Sequence, residues 1–290
     1  MENCVEFRGV SKRFRARAAL ADVSLRMEGG LFGVVGREGA GKSTLVRIAA
    51  TLVRQDAGEA LVCGVPTERA SAVRALIGYV PQDFDMYGGM RVCEAMDYLG
   101  ALSRLDAATR RARTEQLLES VGLSEQAGTR VRRLDASMRR RLGVAQALMH
   151  DPRVLLVDEP FQGVEPEWRA RLRALLTEAA VDRLVVLCAR AASDVEGLCA
   201  RVAVLEAGRV LYAGDAAALV ERARGKMFLV ELPEGALAEF RRRYRVVSVV
   251  EHGERRVARF IAPDGAPGCG RGDEPCLEDA LALCRREAGA

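Results

Sequence analysis

The chain has 290 residues, 49% of them hydrophobic and 29% charged, which excludes global disorder and leaves room for one large domain with an appendage, or two modest ones. The net charge of +4 is too weak to favour nucleic acid as a partner, and none is expected. No window approaches the roughly 18–20 apolar residues of a membrane span, and the N-terminus lacks the apolar core of a signal peptide. Of 44 basic residues only Lys12, Lys42 and Lys226 are lysines, so each stands out against a background of arginine.

In chain order, residues 1–40 alternate like strands and break at Gly29-Gly30. Leu31 to Val35 reads as a buried strand, and Lys42 to Leu52 as a helix. A hairpin is expected around Gly58 to Gly64, and Ile77 to Val80 is a buried strand ended by Pro81. Val92 to His150 is mostly helical and Arg-rich. Val154 to Val157 is a continuous apolar strand, as expected where both faces are covered. Glu167 to Ala180 reads as a helix and Leu184 to Leu187 as a strand. Val202 to Leu205 and Val210 to Ala213 are strands joined through Ala207-Gly208. Beyond about residue 225, Met227 to Leu232, Val246 to Val250 and Val257 to Ile261 are short strands around one helix, with a terminal helix near Leu277 to Arg286. The expected fold class is α/β with a mainly parallel sheet. Residues 1–225 form the main domain, with a helical subdomain at about 85–150, and residues 226–290 a small α+β accessory domain.

Eight cysteines are scattered without a CxxC pair and read as reduced thiols. Cys269 and Cys276 flank a Gly-rich loop, but no further ligand cluster accompanies them and a metal pair is disfavoured. His150, before Asp151-Pro152, reads as structural.

Gly36-Arg37-Glu38-Gly39-Ala40-Gly41-Lys42-Ser43 satisfies G-x-x-x-x-G-K-[ST], is followed by Thr44, and lies between a strand and a helix. The glycines let backbone N–H groups converge on phosphate, and the helix N-terminus adds positive potential. Lys42 would reach the β- and γ-phosphates as a compact point charge, and the Ser43 hydroxyl would ligate Mg²⁺. About 115 residues later, Val154 to Val157 delivers Asp158 and Glu159 at a strand's C-terminal end. Asp158 is expected in the Mg²⁺ shell, and Glu159 as the general base for water.

These motifs resemble the ATP-binding subunit of an ABC transporter over nearly the whole chain. The resemblance implies a P-loop NTPase fold of the ABC ATPase type, with an antiparallel β subdomain and a helical signature subdomain. Gln82, in IGYVPQ, resembles the family's Q-loop glutamine, which senses Mg²⁺ and nucleotide. Phe14 sits where the family stacks an aromatic on adenine. The run from 82 to 102 is similar to exporters whose ATPase and permease are separate chains, as is the tail EPCLEDAL at 274–281.

Three departures cluster on hydrolysis. The signature, LSGGQ or LSGGM in the family, is Leu134-Asp135-Ala136-Ser137-Met138. Asp135 puts a carboxylate where the family has a hydroxyl facing the partner's γ-phosphate, a repulsion on the order of 1–4 kcal/mol. Ala136 and Ser137 add Cβ atoms, and Ser137 offers a displaced hydroxyl. Arg130, Arg132, Arg133, Arg139, Arg140 and Arg141 around it read as a solvated face. In the D-loop, Phe161-Gln162-Gly163-Val164-Glu165-Pro166, Glu165 replaces aspartate. Arg190 occupies the position of the switch histidine, where it would hold phosphate without exchanging a proton.

The resemblance implies a subunit that binds Mg-ATP and hydrolyses it, with hydrolysis weakened by these changes. The alternative is a regulatory subunit with little or no ATPase activity. A soluble ATPase acting on nucleic acid fits less well, since such chains pair two cassettes or carry a long insertion. The implied partners are an integral-membrane permease and a second ATPase, as homodimer or heterodimer. The implied location is cytoplasmic, on the inner face of the membrane.

Overall fold

The structure is a computed structural model describing residues 2–15, 17–84, 86–233, 235–252, 255–262 and 270–289. Cys269 lies outside the described residues. In chain order, β1 (Cys4–Phe14) and β2 (Arg17–Glu28) precede β3 (Leu31–Val35) and α1 (Lys42–Ala49). β4 (Ala57–Val62), β5 (Val65–Pro66), α2 (Ala70–Arg74) and β6 (Ile77–Val80) follow. The helical segment holds α3 (Val92–Leu102), α4 (Ala107–Ser120) and α5 (Ala136–Ala147). Then come β7 (Val154–Asp158), α6 (Pro166–Ala179), β8 (Leu184–Ala189), β9 (Arg201–Glu206), β10 (Arg209–Asp215) and α7 (Ala216–Glu221). The chain closes with β11 (Met227–Leu232), α8 (Leu237–Arg243), β12 (Arg245–His252), β13 (Arg255–Ile261), β14 (Arg271–Gly272) and α9 (Leu277–Glu287).

The central sheet runs β10-β9-β3-β8-β7-β6, parallel except at β10. An antiparallel sheet, β2-β1-β4-β5, covers one side, and a third sheet, β12-β13-β11-β14, carries the C-terminal segment. Every residue of β3, β7 and β8 is buried. Their side chains divide with period two. Phe32, Val34, Leu156 and Val186 join the core shared with α1 and the antiparallel sheet. Val35, Leu155, Val157 and Leu187 join the core shared with α5, α6 and α9. Covering both faces is what makes these strands read as unbroken apolar runs.

Several ends shift by one to three residues, and one helix was not expected. The first helix ends at Ala49 rather than Leu52, because Thr51 adopts φ 60° and the Thr51 and Leu52 N–H groups bond back to Ile48 and Arg47. Glycine is the usual residue at such a position. Here Arg74 donates to the Thr51 hydroxyl at 2.9 Å. Helix α7 falls where the sequence suggested no element. No helix among the described residues is long and apolar enough to cross a membrane.

The helical segment is fastened to α6 through Arg141, which lies on the buried side of α5 rather than on the solvated face expected of it. Its guanidinium sits 3.8 Å from the Trp168 ring centroid and donates to the carbonyls of Val121 (2.7 Å) and Gly122 (3.1 Å). Gly122 has φ +62°, and a Cβ there would fall 1.8 Å from the Trp168 ring. No larger residue fits without moving the ring.

His150 is half-buried, and its Nε2 sits 3.0 Å from the Ile77 carbonyl, which can only accept, so this nitrogen carries the proton. Burial pushes the His150 pKa below its ordinary 6.5. The unfolded chain therefore takes up the proton first, and stability falls as pH drops from about 6.5 through the lower folded value. Thermal melts at pH 7.5 and 5.5 are expected to show this loss, reduced in His150→Gln. An equal loss in the variant would assign the pH dependence elsewhere.

The C-terminal sheet has its own small core of Phe228, Val230, Ala258 and Phe260. Helix α9 instead packs into the main core through Leu277, Ala280, Leu281 and Leu283. It exchanges caps with the segment after β8. Glu196 accepts from the Leu277 N–H (2.9 Å), and Glu278 accepts from the Ala192 N–H (3.4 Å). Arg285, almost fully buried, adds a salt bridge to Glu206 at 3.1 Å.

Candidate functional site

The loop after β3 turns into α1 at Gly41, whose φ of +108° and approach to the Ala19 carbonyl exclude any side chain. That geometry brings the first amides of α1 to the floor of a cavity of about 340 Å³. Phe14, Glu38, Gly39, Ala40, Gly41, Lys42, Ser43, Thr44, Gln82, Glu159 and Arg190 all line it. Gly36 and Arg37 sit at the entrance to the loop, where their carbonyls accept from Lys42 Nζ at 2.8 and 3.1 Å. Phe14 is 48% exposed, an open aromatic face beside the loop with Lys12 Nζ 5.5 Å from its centroid. Arg17 and Ala19 also line the cavity. Sequence reasoning missed both, and one arginine among so many carries no signal.

Asp158, at the end of β7, is fully buried, and neither carboxylate oxygen has a hydrogen-bond partner among the described residues. Burial raises its pKa, and the neighbouring Ser43 hydroxyl opposes the shift. A buried carboxylate with unused acceptor pairs beside a hydroxyl is a donor set that fits a hard divalent cation such as Mg²⁺.

Glu159 is 8% exposed and has φ 51°, a left-handed conformation unusual for a residue with a side chain. Its N–H donates to the Cys188 carbonyl (3.0 Å), and its own carbonyl accepts from Arg140 (2.8 Å). Arg140, too, is off the solvated face, and burial lowers its pKa. The Glu159 carboxylate lies between two cations, with Oε2 2.7 Å from Arg190 Nε and Oε1 3.7 Å from Lys42 Nζ. Arg190 Nη1 reaches Glu38 at 3.2 Å. The residue at the histidine position is thus tied to two carboxylates.

The signature residues, Glu165 and Asp158 lie outside the cavity lining. Asp135 caps α5, accepting from the Met138 N–H at 2.7 Å, so its carboxylate serves its own helix. Ser137, buried, donates its hydroxyl to the Glu165 carboxylate, which holds the Glu165 pKa below the usual range. The Ser137 hydroxyl is therefore engaged by Glu165, at the start of α6. The extra methylene of Glu165 belongs to this contact. Leu134 is buried, and Gln82 approaches Gln162 at 3.4 Å, joining the Q-loop to the D-loop.

The sequence model of the family described as ABC transporter matches residues 20–162. The chain is 33% identical over 233 residues to the probable multidrug ABC transporter ATP-binding protein YbhF of Escherichia coli (strain K12), covering 79% of this chain and 40% of that protein. It is 35% identical over 225 residues to the Nod factor export ATP-binding protein I of Paraburkholderia xenovorans (strain LB400), covering 76% and 73%. It is 37% identical over 222 residues to the methionine import ATP-binding protein MetN of Caulobacter vibrioides (strain ATCC 19089 / CIP 103742 / CB 15), covering 72% and 66%. The chain thus spans well under half of YbhF and about two thirds or more of the other two. Its fold matches the dimeric post-hydrolysis structure of the ATP-binding cassette MJ0796 bound to ADP and Pi, with TM-score 0.66, 22% identity, and coverage of 73% of this chain and 98% of that one.

Proposed function

Because the chain belongs to the ABC transporter family as an ATP-binding protein, we propose that it binds ATP with Mg²⁺ and hydrolyses it slowly, on behalf of a separate integral-membrane permease. The observation that carries this reading is the convergence of Phe14, the phosphate loop, Lys42 and Ser43 on one cavity, with the buried Asp158 carboxylate, which has no hydrogen-bond partner among the described residues by distance and angle, neighbouring Ser43. Phe14 stacks the adenine, and the loop amides with Lys42 hold the phosphates. Ser43, Asp158 and Gln82 are the residues to hold Mg²⁺, which when bound neutralises phosphate charge. Glu159 takes a proton from water as the water oxygen bonds to the γ-phosphorus. The bond to the bridging oxygen breaks with its electron pair leaving on ADP.

Slow turnover is supported by three engaged groups: Glu159 held by Arg190, Ser137 held by Glu165, and Asp135 holding its own helix. The same contacts favour the second reading, a regulatory subunit without useful turnover. Export, through a dimer of two such ATPases at the inner face of the membrane, fits the resemblance over 82–102 and the name of the Nod factor export relative, whereas MetN is an import protein.

Two measurements test this. Lys42→Ala is expected to weaken Mg-ATP binding about ten-fold or more, because a charge-assisted phosphate contact is lost. The triple variant Asp135→Ser/Ala136→Gly/Ser137→Gly is expected to raise steady-state turnover. Equal, fast turnover in parent and variant would overturn slow hydrolysis, and no turnover in either would favour the regulatory reading.

A further inference from the structure

A second cavity, of about 280 Å³, lies at the end of α1 away from the phosphate loop. It is at the small end of the roughly 300–1,000 Å³ typical of ligand pockets. Thr51, Val53, Arg54, Gln55, Thr67 and Glu68 line it, and none of them lines the cavity above Lys42. Two loops supply these residues, each tied down by its backbone. After α1, the Thr51 and Val53 N–H groups return to the Ile48 and Arg47 carbonyls at 3.0 and 3.2 Å. After β5, the Thr67 N–H donates to the Ala60 carbonyl of β4 at 2.9 Å.

The lining holds a cation and an anion that do not neutralise each other. Arg54 is exposed and has no hydrogen bond or ion pair among the described residues. Glu68 accepts from the Gln55 amide at 2.7 Å and has no ion pair among the described residues. Thr67 is 7% exposed, and its hydroxyl has no hydrogen-bond partner by distance and angle among the described residues. A buried hydroxyl without a partner is a cost that a ligand group can relieve. These features select the charge of a ligand. A plain anion would be repelled by Glu68, and a plain cation by Arg54. A wholly apolar molecule would leave the Thr67 hydroxyl unpaired. A small molecule with both a carboxylate and an ammonium group meets both charges, the carboxylate on the guanidinium fork and the ammonium on Glu68. Half-buried Val53 offers an apolar contact for a short side chain.

We propose that this cavity is a binding site for a zwitterionic small molecule of the free α-amino acid class, with Arg54 on its carboxylate, Glu68 on its ammonium group and the Thr67 hydroxyl as a further partner. Bound there, it joins the loop after α1 to the loop after β5.

The full-length chain, without nucleotide, is screened by differential scanning fluorimetry against each proteinogenic amino acid at millimolar concentration, and the tightest binder is titrated by calorimetry. At least one amino acid is expected to raise the thermal midpoint. Its methyl ester lacks the anionic charge and its N-acetyl form lacks the cationic one, and each is expected to bind about ten-fold more weakly. Arg54→Ala and Glu68→Gln change exposed side chains, so the midpoint of the free protein stays in place while the amino acid binds about ten-fold more weakly. Thr67→Val removes the unpaired hydroxyl. It is expected to leave the free protein at least as stable and to weaken the amino acid several-fold, whereas a threonine with only a structural role would leave binding intact. If no amino acid binds, if the ester and N-acetyl forms bind as well as the parent amino acid, or if binding is indifferent to Arg54→Ala, Glu68→Gln or Thr67→Val, the proposal is wrong. No nucleotide enters these measurements, so their outcome is independent of the ATP-site reading.

Discussion

Asp158→Asn is expected to raise the thermal midpoint of the nucleotide-free protein while removing the response of that midpoint to Mg-ATP. The wild-type carboxylate is fully buried, its two oxygens have no hydrogen-bond partner by distance and angle among the described residues, and burial raises its pKa. A group with a raised folded pKa binds its proton more tightly in the native state. Its contribution to stability is full below the ordinary value of 3.8 and is lost as pH rises through the raised one. Burial thus makes the ionised carboxylate costly, with Ser43, Lys42 and Arg47 offsetting part of that cost. An amide of nearly the same size relieves about 1–3 kcal/mol of that cost. The midpoint rises by several degrees, at about 2–4 °C per kcal/mol. The gain shrinks as pH falls toward 4. Differential scanning fluorimetry at pH 7.5 and 4.5, with and without Mg-ATP, checks both halves. A lower midpoint without nucleotide, or an undiminished response to Mg-ATP, would contradict the assignment. The expected outcome is a site residue kept at the expense of stability.

Gly122→Ala is expected to be among the most damaging single-methyl additions to this chain. The residue must keep φ +62°, which costs about 1 kcal/mol with a side chain present. Its methyl also collides with the Trp168 ring at 1.8 Å, and expelling the ring adds about 1–3 kcal/mol of overpacking. The ring cannot leave alone. Arg141 stacks on it and uses the same guanidinium to hold the Val121 and Gly122 carbonyls. The total, about 2–4 kcal/mol, falls on the junction between the helical segment and α6. In a Trp168→Ala background the collision is absent, and Gly122→Ala is expected to cost only the backbone part, about 1 kcal/mol. Urea denaturation of the four-protein cycle measures the coupling, and additive costs would show that the ring and the glycine do not oppose each other.

What was legible in the sequence follows from what leaves a local trace. Strands β3 and β6 lie at the expected residues because burial on two faces writes a continuous apolar run. The phosphate loop was legible because its glycines, lysine and serine are adjacent in the chain. The end of α1 was not, because threonine takes the conformation that glycine usually signals. The burial of Arg141 and the half-burial of Arg140 were hidden by composition, since an arginine under a tryptophan ring and one in water are the same letter. The Ser137–Glu165 and Arg190–Glu159 contacts join residues 28 and 31 positions apart. No periodicity records such pairings, and only the closing of strands and helices on one another creates them.

The exchange of caps between α9 and the segment after β8 also has a consequence in time. Ala192 and its partner Glu278 are 86 residues apart. At synthesis rates of about 5–20 residues per second, the segment that follows Arg190 leaves the ribosome roughly 4–17 s before the helix that braces it. Through that interval the nascent chain already holds the loop before α1 and the acidic end of β7, while the segment after β8 lacks its brace. A chain clipped before residue 277 would remain in that unfinished condition, with the loop before α1 complete and the segment after β8 without its cap.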